Sequence, residues 1–180
     1  MGVVKKEMES IRIRAERPGD IPAVRVVNGR AFEQFVEADL VDRLRAECPE
    51  AISLVAESED QIVGHILFTP ALLPGEGETL QGMGLAPMAV LPEHQREGIG
   101  SRLVEAGLHI LREQSCPFVI VLGHPKYYPR FGFEPASRHG IRCQWEGVPD
   151  EAFMILFLDE STRLAARGVA RYRDEFDDAM

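Results

Sequence analysis

At 180 residues the chain has the length of one domain, with interior enough to fold without disulfide or metal staples. Its 20 lysines and arginines against 29 aspartates and glutamates give a formal net charge of −9, which repels phosphate backbones and excludes nucleic acid as an expected partner. Three cysteines, Cys48, Cys116 and Cys143, with no C-x-x-C pair exclude a disulfide framework and a zinc ribbon, so no metal is expected.

The N-terminal stretch, residues 1–14, has no apolar core ahead of a small-residue cleavage site. Lys6 stands where a myristoylated Gly2 would require Ser or Thr. The longest apolar run, residues 83–92, is too short to cross a bilayer, and a cytoplasmic protein without membrane contact is expected.

Ile11-Arg12-Ile13-Arg14 alternates as a first strand. Pro18-Gly19-Asp20 supplies a turn and a helix N-cap, with Pro22 tolerated in the first turn. Ile21, Val24, Val27 and Ala31 then share one face of a helix ending near Phe32. Val36, Leu40, Val41 and Leu44 repeat the pattern for a second helix, closed by Cys48-Pro49. Strands over 52–57 and 62–69 flank Ser58-Glu59-Asp60-Gln61 as a hairpin, and 72–81 reads as a Gly/Pro/Glu loop. Residues 84–90 are nearly all apolar, as in a strand buried on both faces. Ile99, Leu103, Val104, Leu108 and Leu111 mark a helix of roughly four turns, and 118–122 is a second buried strand. A short helix over 126–130, strands over 141–145 and 152–158, and a C-terminal helix over 160–177 complete the chain.

Strand, helix and strand across 84–122 form a crossover unit, which sets those two strands parallel. The expected fold class is therefore α/β, a single mixed, partly parallel sheet flanked by helices. One domain spans residues 1–180, with its core over 11–158.

The informative segment is Val90-Leu91-Pro92-Glu93-His94-Gln95-Arg96-Glu97-Gly98-Ile99-Gly100-Ser101-Arg102. A buried strand ends, Pro92 breaks it, and a helix opens at a turn with two glycines. Glycines let the backbone approach a ligand, and the free N–H groups of a first helical turn, with the helix dipole, favour an anion. G-x-G alone fits a ligand-free turn equally well. A dinucleotide fingerprint would need a third glycine where Leu103 stands, and a P-loop would need Gly-Lys before Ser or Thr.

Gln95, Gly98 and Gly100 match the Q/R-x-x-G-x-G/A pyrophosphate motif, and Tyr128-Pro129-Arg130-Phe131-Gly132-Phe133 matches a Y-x-x-x-G-F ending. With these two blocks in order and at the right distance, the sequence resembles the GCN5-related N-acetyltransferase (GNAT) superfamily over residues 11–158. The wording LGHPKYYPRFGFEPA resembles a subgroup of predicted bacterial N-acetyltransferases whose substrates are mostly unassigned. Many members carry Asn-x-x-Ala before the tyrosine. Val121 and His124 occupy those positions here, so that side-chain contact is not carried over.

The resemblance implies acetyl-CoA as co-substrate and a primary amine of a small molecule or peptide as acceptor. A non-catalytic acetyl-CoA-binding sensor is the alternative, and a homodimer is left open. Backbone groups of Met88, Ala89 and Val90 would bind the pantetheine arm, and an N–H there would steady the developing oxyanion, an effect of roughly 3–4 kcal/mol. Gln95, Arg96, Glu97, Gly98, Ile99, Gly100 and Ser101 would hold the pyrophosphate, helped by the side chains of His94 and Arg96, with Arg102 either assisting or solvated. Tyr128 would be the general acid on the leaving thiolate, while Tyr127 would point elsewhere. The general base stays open between His124, Glu33, His65 and water. The acidic run 174–178 is either a solvated helix end or an attractant for a cationic amine.

Overall fold

A computed structural model describes residues 10–180; the readings of Gly2 and Lys6 lie outside them. The N-terminal alternation becomes β1 (Arg12–Ala15), which pairs antiparallel with β2 (Ile52–Ser58). Between them lie α1 (Ile21–Phe32) and α2 (Val36–Glu47). After β2 come β3 (Gln61–Pro74), β4 (Thr79–Val90), α3 (Ile99–Glu113) and β5 (Phe118–Leu122). The remainder is β6 (Glu134–Pro135), β7 (Ile141–Cys143), β8 (Phe153–Phe157), α4 (Glu160–Ala165) and β9 (Gly168–Ala170).

Seven strands form one mixed sheet in the order β1-β2-β3-β4-β5-β8-β6, with β4 and β5 parallel and the other neighbours antiparallel. The crossover through α3 produces that parallel pair, as expected. Val24, Leu40, Val41 and Leu44 of α1 and α2 pack with Val55, Leu67 and Leu73 on one face of the sheet. Ile99, Leu103, Val104, Leu108 and Leu111 of α3 pack with Ile66, Phe68 and Leu85 on the other. Each of those five α3 side chains contributes about 1.5–3 kcal/mol on burial, which fixes the roll of α3 and hence the direction of its N-terminus.

Two expected elements are corrected. The loop over 72–81 is instead the tip of a long β3–β4 hairpin, paired from Pro70↔Met83 to Pro74↔Thr79 and turned at Gly75–Glu78, where the Gly75 N–H donates to the Glu78 carbonyl. Its prolines mask a strand but do not break one. The Leu72 N–H donates to the Arg171 carbonyl, away from β4, so alternation turns the backbone nitrogens of Pro70 and Pro74 outward too. Neither proline therefore removes a β3–β4 ladder bond.

The C-terminal helix over 160–177 stops at Ala165. Because β2 leaves β3 unpaired beyond Phe68, that free edge of β3 recruits the C-terminal chain. Leu72 and Arg171 exchange both backbone hydrogen bonds, at 2.9 and 2.8 Å, and the Arg167 N–H donates to the Pro74 carbonyl. Val169 and its neighbours pair parallel with β7 in a second, two-stranded sheet. Edge pairing outcompetes the local helical preference of this segment, since it satisfies backbone groups that would otherwise stay open.

Candidate active site

β4 and β5 run side by side only from Met83↔Val119 to Leu85↔Val121. Beyond that, β4 carries one extra residue against β3, between the pairs Phe68↔Leu85 and Ile66↔Met88. Such a bulge bends and twists its strand, and here it turns β4 away from β5. Tyr172 stands at the point of parting. Fully enclosed, its hydroxyl lies 3.3 Å from both the Leu85 and the Ile120 carbonyl oxygens, one on each diverging strand. Its ring is stacked on Trp145, with centroids 5.5 Å apart.

The divergence opens a cleft of about 1080 Å³ between the strand ends, the start of α3 and the α1–α2 connection. On the β4 wall, the Leu91 N–H donates to the Val63 carbonyl, and Ala89 is paired with His65. By alternation the peptide groups of Ala89 are turned toward β3, and those of Met88 and Val90 face the cleft. Of the three residues expected to bind an amide-rich arm, Ala89 thus lines the cleft only with its small side. The Gln95 side-chain amide donates to the Val90 carbonyl at 3.0 Å, leaving the Val90 N–H and the Met88 groups as the free strand edge.

The next wall is the turn into α3. Arg96 (φ 64°) and Gly98 (φ 81°) are both left-handed, and the first helical hydrogen bond is Arg102 N–H to the Gly98 carbonyl. The N–H groups of Ile99, Gly100 and Ser101 therefore have no helical acceptor and open into the cleft, where the helix dipole adds positive potential. A Cβ on Gly100 would lie 2.9 Å from Tyr127 Oη and 3.2 Å from Met88 Sδ, so the cradle exists only because this residue has no side chain. Arg96, Lys126 and Arg130 add cationic side chains to the same end. Glu97 does not line the cleft; its carboxylate lies 3.4 Å from His94 Nδ1. Arg102 is bound elsewhere, donating to the Ile11 carbonyl at 2.7 Å.

Opposite the turn, the His124 carbonyl accepts from the N–H groups of Tyr127 (3.0 Å) and Tyr128 (3.4 Å) and so starts the 3₁₀ turn Tyr128–Phe131. The Tyr128 ring is buried, edge-on to Tyr127 and Phe133 at centroid distances of 5.1 and 5.7 Å. Tyr128 lines the cleft, and its Oη has no hydrogen-bond partner among the described residues. Burial pushes its pKa up, so the hydroxyl stays protonated and can donate. Tyr127 does not point elsewhere. Its Oη lies 3.2 Å from Ser101 Oγ, and the Arg130 guanidinium sits 4.4 Å above its ring. Both tyrosines face the same cleft from adjacent positions, one toward the α3 turn.

The candidate bases separate cleanly. His65 is fully buried and does not line the cleft. Its Nδ1 lies 3.0 Å from Asn28 Nδ2, which can only donate, so the ring proton sits on Nε2, 2.9 Å from Ser53 Oγ. Ser53 in turn donates to Glu16. Burial pushes the His65 pKa down, and the imidazole serves as a neutral link beneath α1. Glu33 is the exposed, left-handed residue ending α1 and lies off the cleft. His124 is exposed and lines it.

Two residues had no signal in the sequence. Tyr172 lay in a segment read as helix. Glu37, in the first turn of α2, is the only carboxylate side chain among the described residues lining the cleft; nothing in the local pattern separates it from any acidic residue in a first helical turn.

The sequence model of the acetyltransferase (GNAT) domain matches residues 12–136. The chain is 37% identical over 166 residues to the uncharacterized N-acetyltransferase YhbS of Escherichia coli (strain K12), covering 92% of this chain and 98% of that protein. It is 47% identical over 120 residues to the uncharacterized N-acetyltransferase YjhQ of the same strain, 66% of each chain. The solved structure of E. coli YhbS in complex with CoA matches with a TM-score of 0.85 at 35% identity, over 94% of this chain and 93% of that one. A GNAT family acetyltransferase from Brucella melitensis in complex with acetyl-CoA matches with a TM-score of 0.75 at 34% identity, over 94% and 99%. With a bulged strand, a glycine turn and a tyrosine converging on one cleft, a matching domain model over residues 12–136, and YhbS matched across nearly its whole length, the chain belongs to the GNAT family of acetyltransferases.

Proposed function

We propose that the protein transfers the acetyl group of acetyl-CoA to a primary amine by direct attack. The observation that carries this is the convergence on one cleft of the free Ile99–Ser101 amide groups, the free Met88 backbone groups and Val90 N–H, and the unpartnered Tyr128 hydroxyl. The amide turn has the charge and the space for a pyrophosphate, and the strand edge offers an amide-rich arm the bonds a neighbouring strand would make. The relatives of known structure were solved with CoA and acetyl-CoA, which supports the same reading.

The chain's own groups then divide the work. The Val90 N–H, which faces the cleft, would donate to the thioester oxygen as negative charge develops there. The amine nitrogen bonds to the carbonyl carbon, the carbon–sulfur bond breaks, and Tyr128 donates its proton to the departing thiolate. The nitrogen sheds its surplus proton to solvent or to His124, and the tyrosine is reprotonated from solvent, so one acetyl moves and the protons balance. The test is release of free CoA thiol from acetyl-CoA, measured over a panel of primary amines and without amine. Amine-dependent release with formation of the acetamide is the expected result. Tight acetyl-CoA binding with no release for any amine would instead make the protein a sensor.

A further inference from the structure

The acidic tail is a poor source of attraction for the acceptor, because none of its carboxylate side chains, Asp174, Glu175, Asp177 and Asp178, lines the cleft. Asp178 pairs with Arg43 at 2.8 Å, and Asp177 accepts from Trp145 Nε1 at 2.8 Å and from Gln144. Within the cleft the charges are sorted instead. Arg96, Lys126 and Arg130 gather at the end formed by the α3 turn and the tyrosine loop, where a pyrophosphate would neutralise them. Glu37 comes from α2, on the other wall. Its two oxygens lie 3.0 and 3.2 Å from Gln34 Nε2, a neutral amide that orients the carboxylate without cancelling its charge. No cation lies within ion-pair distance of it among the described residues. The neighbouring lining is apolar: Ala31, Phe32, Leu40 and Phe176.

We infer that Glu37 is the binding residue for the acceptor, and that the acceptor is a cationic amine on an apolar body with no carboxylate of its own. This rests on the acetyl-transfer reading and names its substrate class. A half-buried carboxylate whose only partner is an amide keeps most of its charge available, so an ammonium entering the cleft gains an ion pair that a zwitterion partly cancels. The Phe32 and Leu40 side chains give the apolar body a surface to cover. Glu37 holds the ammonium form. One proton leaves the nitrogen for solvent before attack and a second after the new bond forms, as in the transfer above.

Phenethylamine and phenylalanine test this directly, since they differ by one carboxylate. The expected result is a kcat/KM at least ~10-fold higher for phenethylamine, falling another ~10-fold in Glu37→Gln through KM, in the range for loss of a charge-assisted contact. Glu37→Asp should recover part of the loss. The acetyl-CoA KM and the rise in Tm with acetyl-CoA should be unchanged in both variants, which shows that they fold and bind the donor. Phenylalanine used as well as phenethylamine overturns the inference. So does a Glu37→Gln enzyme within about twofold of wild type in phenethylamine KM, the scatter expected of a surface change. If other amines are acetylated and phenethylamine is not, the apolar-cation class is wrong. If no amine releases CoA, acetyl transfer itself falls and this inference with it.

Discussion

Gly98 and Gly100 serve the same turn for different reasons, and two substitutions separate them. A Cβ on Gly98 would meet nothing within 4 Å, but its φ of 81° is one that an L-residue adopts only at a cost of about 1–2 kcal/mol. At about 2–4 °C per kcal/mol for a domain of this size, Gly98→Ala should lower the Tm of the free protein by roughly 2–8 °C. Gly100 is helical, and what a Cβ would meet there is Tyr127 Oη at 2.9 Å and Met88 Sδ at 3.2 Å, far ends of flexible side chains that can move aside. Gly100→Val should therefore leave the free protein within about 1 kcal/mol of wild type, while its methyl groups fill the space over the free amides. Acetyl-CoA at ~100 times its Kd stabilises a binding-competent protein by about 2.7 kcal/mol, a shift of roughly 5–11 °C here. Thermal denaturation with and without acetyl-CoA should show Gly98→Ala losing baseline stability and keeping much of the shift. Gly100→Val should keep the baseline and lose the shift. A full acetyl-CoA shift in Gly100→Val would refute the assignment of the anion cradle to this turn.

Tyr128→Phe removes the hydroxyl that faces the cleft, and turnover should fall by ~10²-fold or more with acetyl-CoA binding intact. Tyr127→Phe should instead weaken acetyl-CoA binding, because its hydroxyl contacts Ser101 at the turn, and equal losses in kcat for both would mean the roles are misassigned. Tyr172→Phe leaves the Leu85 and Ile120 carbonyls without their shared donor; a loss of about 1–2 kcal/mol is expected, together with a raised acetyl-CoA KM as the strand divergence relaxes. A lowered Tm with an unchanged KM would reduce Tyr172 to a core residue. His65 is held neutral, with its pKa below the ordinary value near 6.5. Below that pH the unfolded chain takes up a proton the folded one refuses, so stability should fall as pH drops, by at most ~1.4 kcal/mol per unit. A Tm difference between pH 7.5 and 5.5 that persists unchanged in His65→Gln would show that other groups cause it.

Local pattern alone was enough for α1, α2, α3 and the strand pair around α3, because apolar spacing at 3.6 or 2 residues states which face must be buried. It was enough, too, to single out the glycine turn that opens α3, since Gly98, Gly100 and a helix start are adjacent in the chain, and to single out Tyr128, which sits in a short motif with Gly132-Phe133. The features that required the folded chain are those created by distant segments. Pro74 fell in a segment read as loop until the register showed its nitrogen, like that of Pro70, turned away from β4. The segment after Ala165 has helical spacing, yet the unpaired edge of β3 offers Leu72 as a backbone partner for Arg171, 99 positions later. That docking carries Tyr172 into the gap between β4 and β5. Glu37 acquires its meaning only where α2 faces the cleft. Its charge is local and legible in the sequence, but the absence of a paired cation and the apolar walls around it are properties of residues that meet through the tertiary fold.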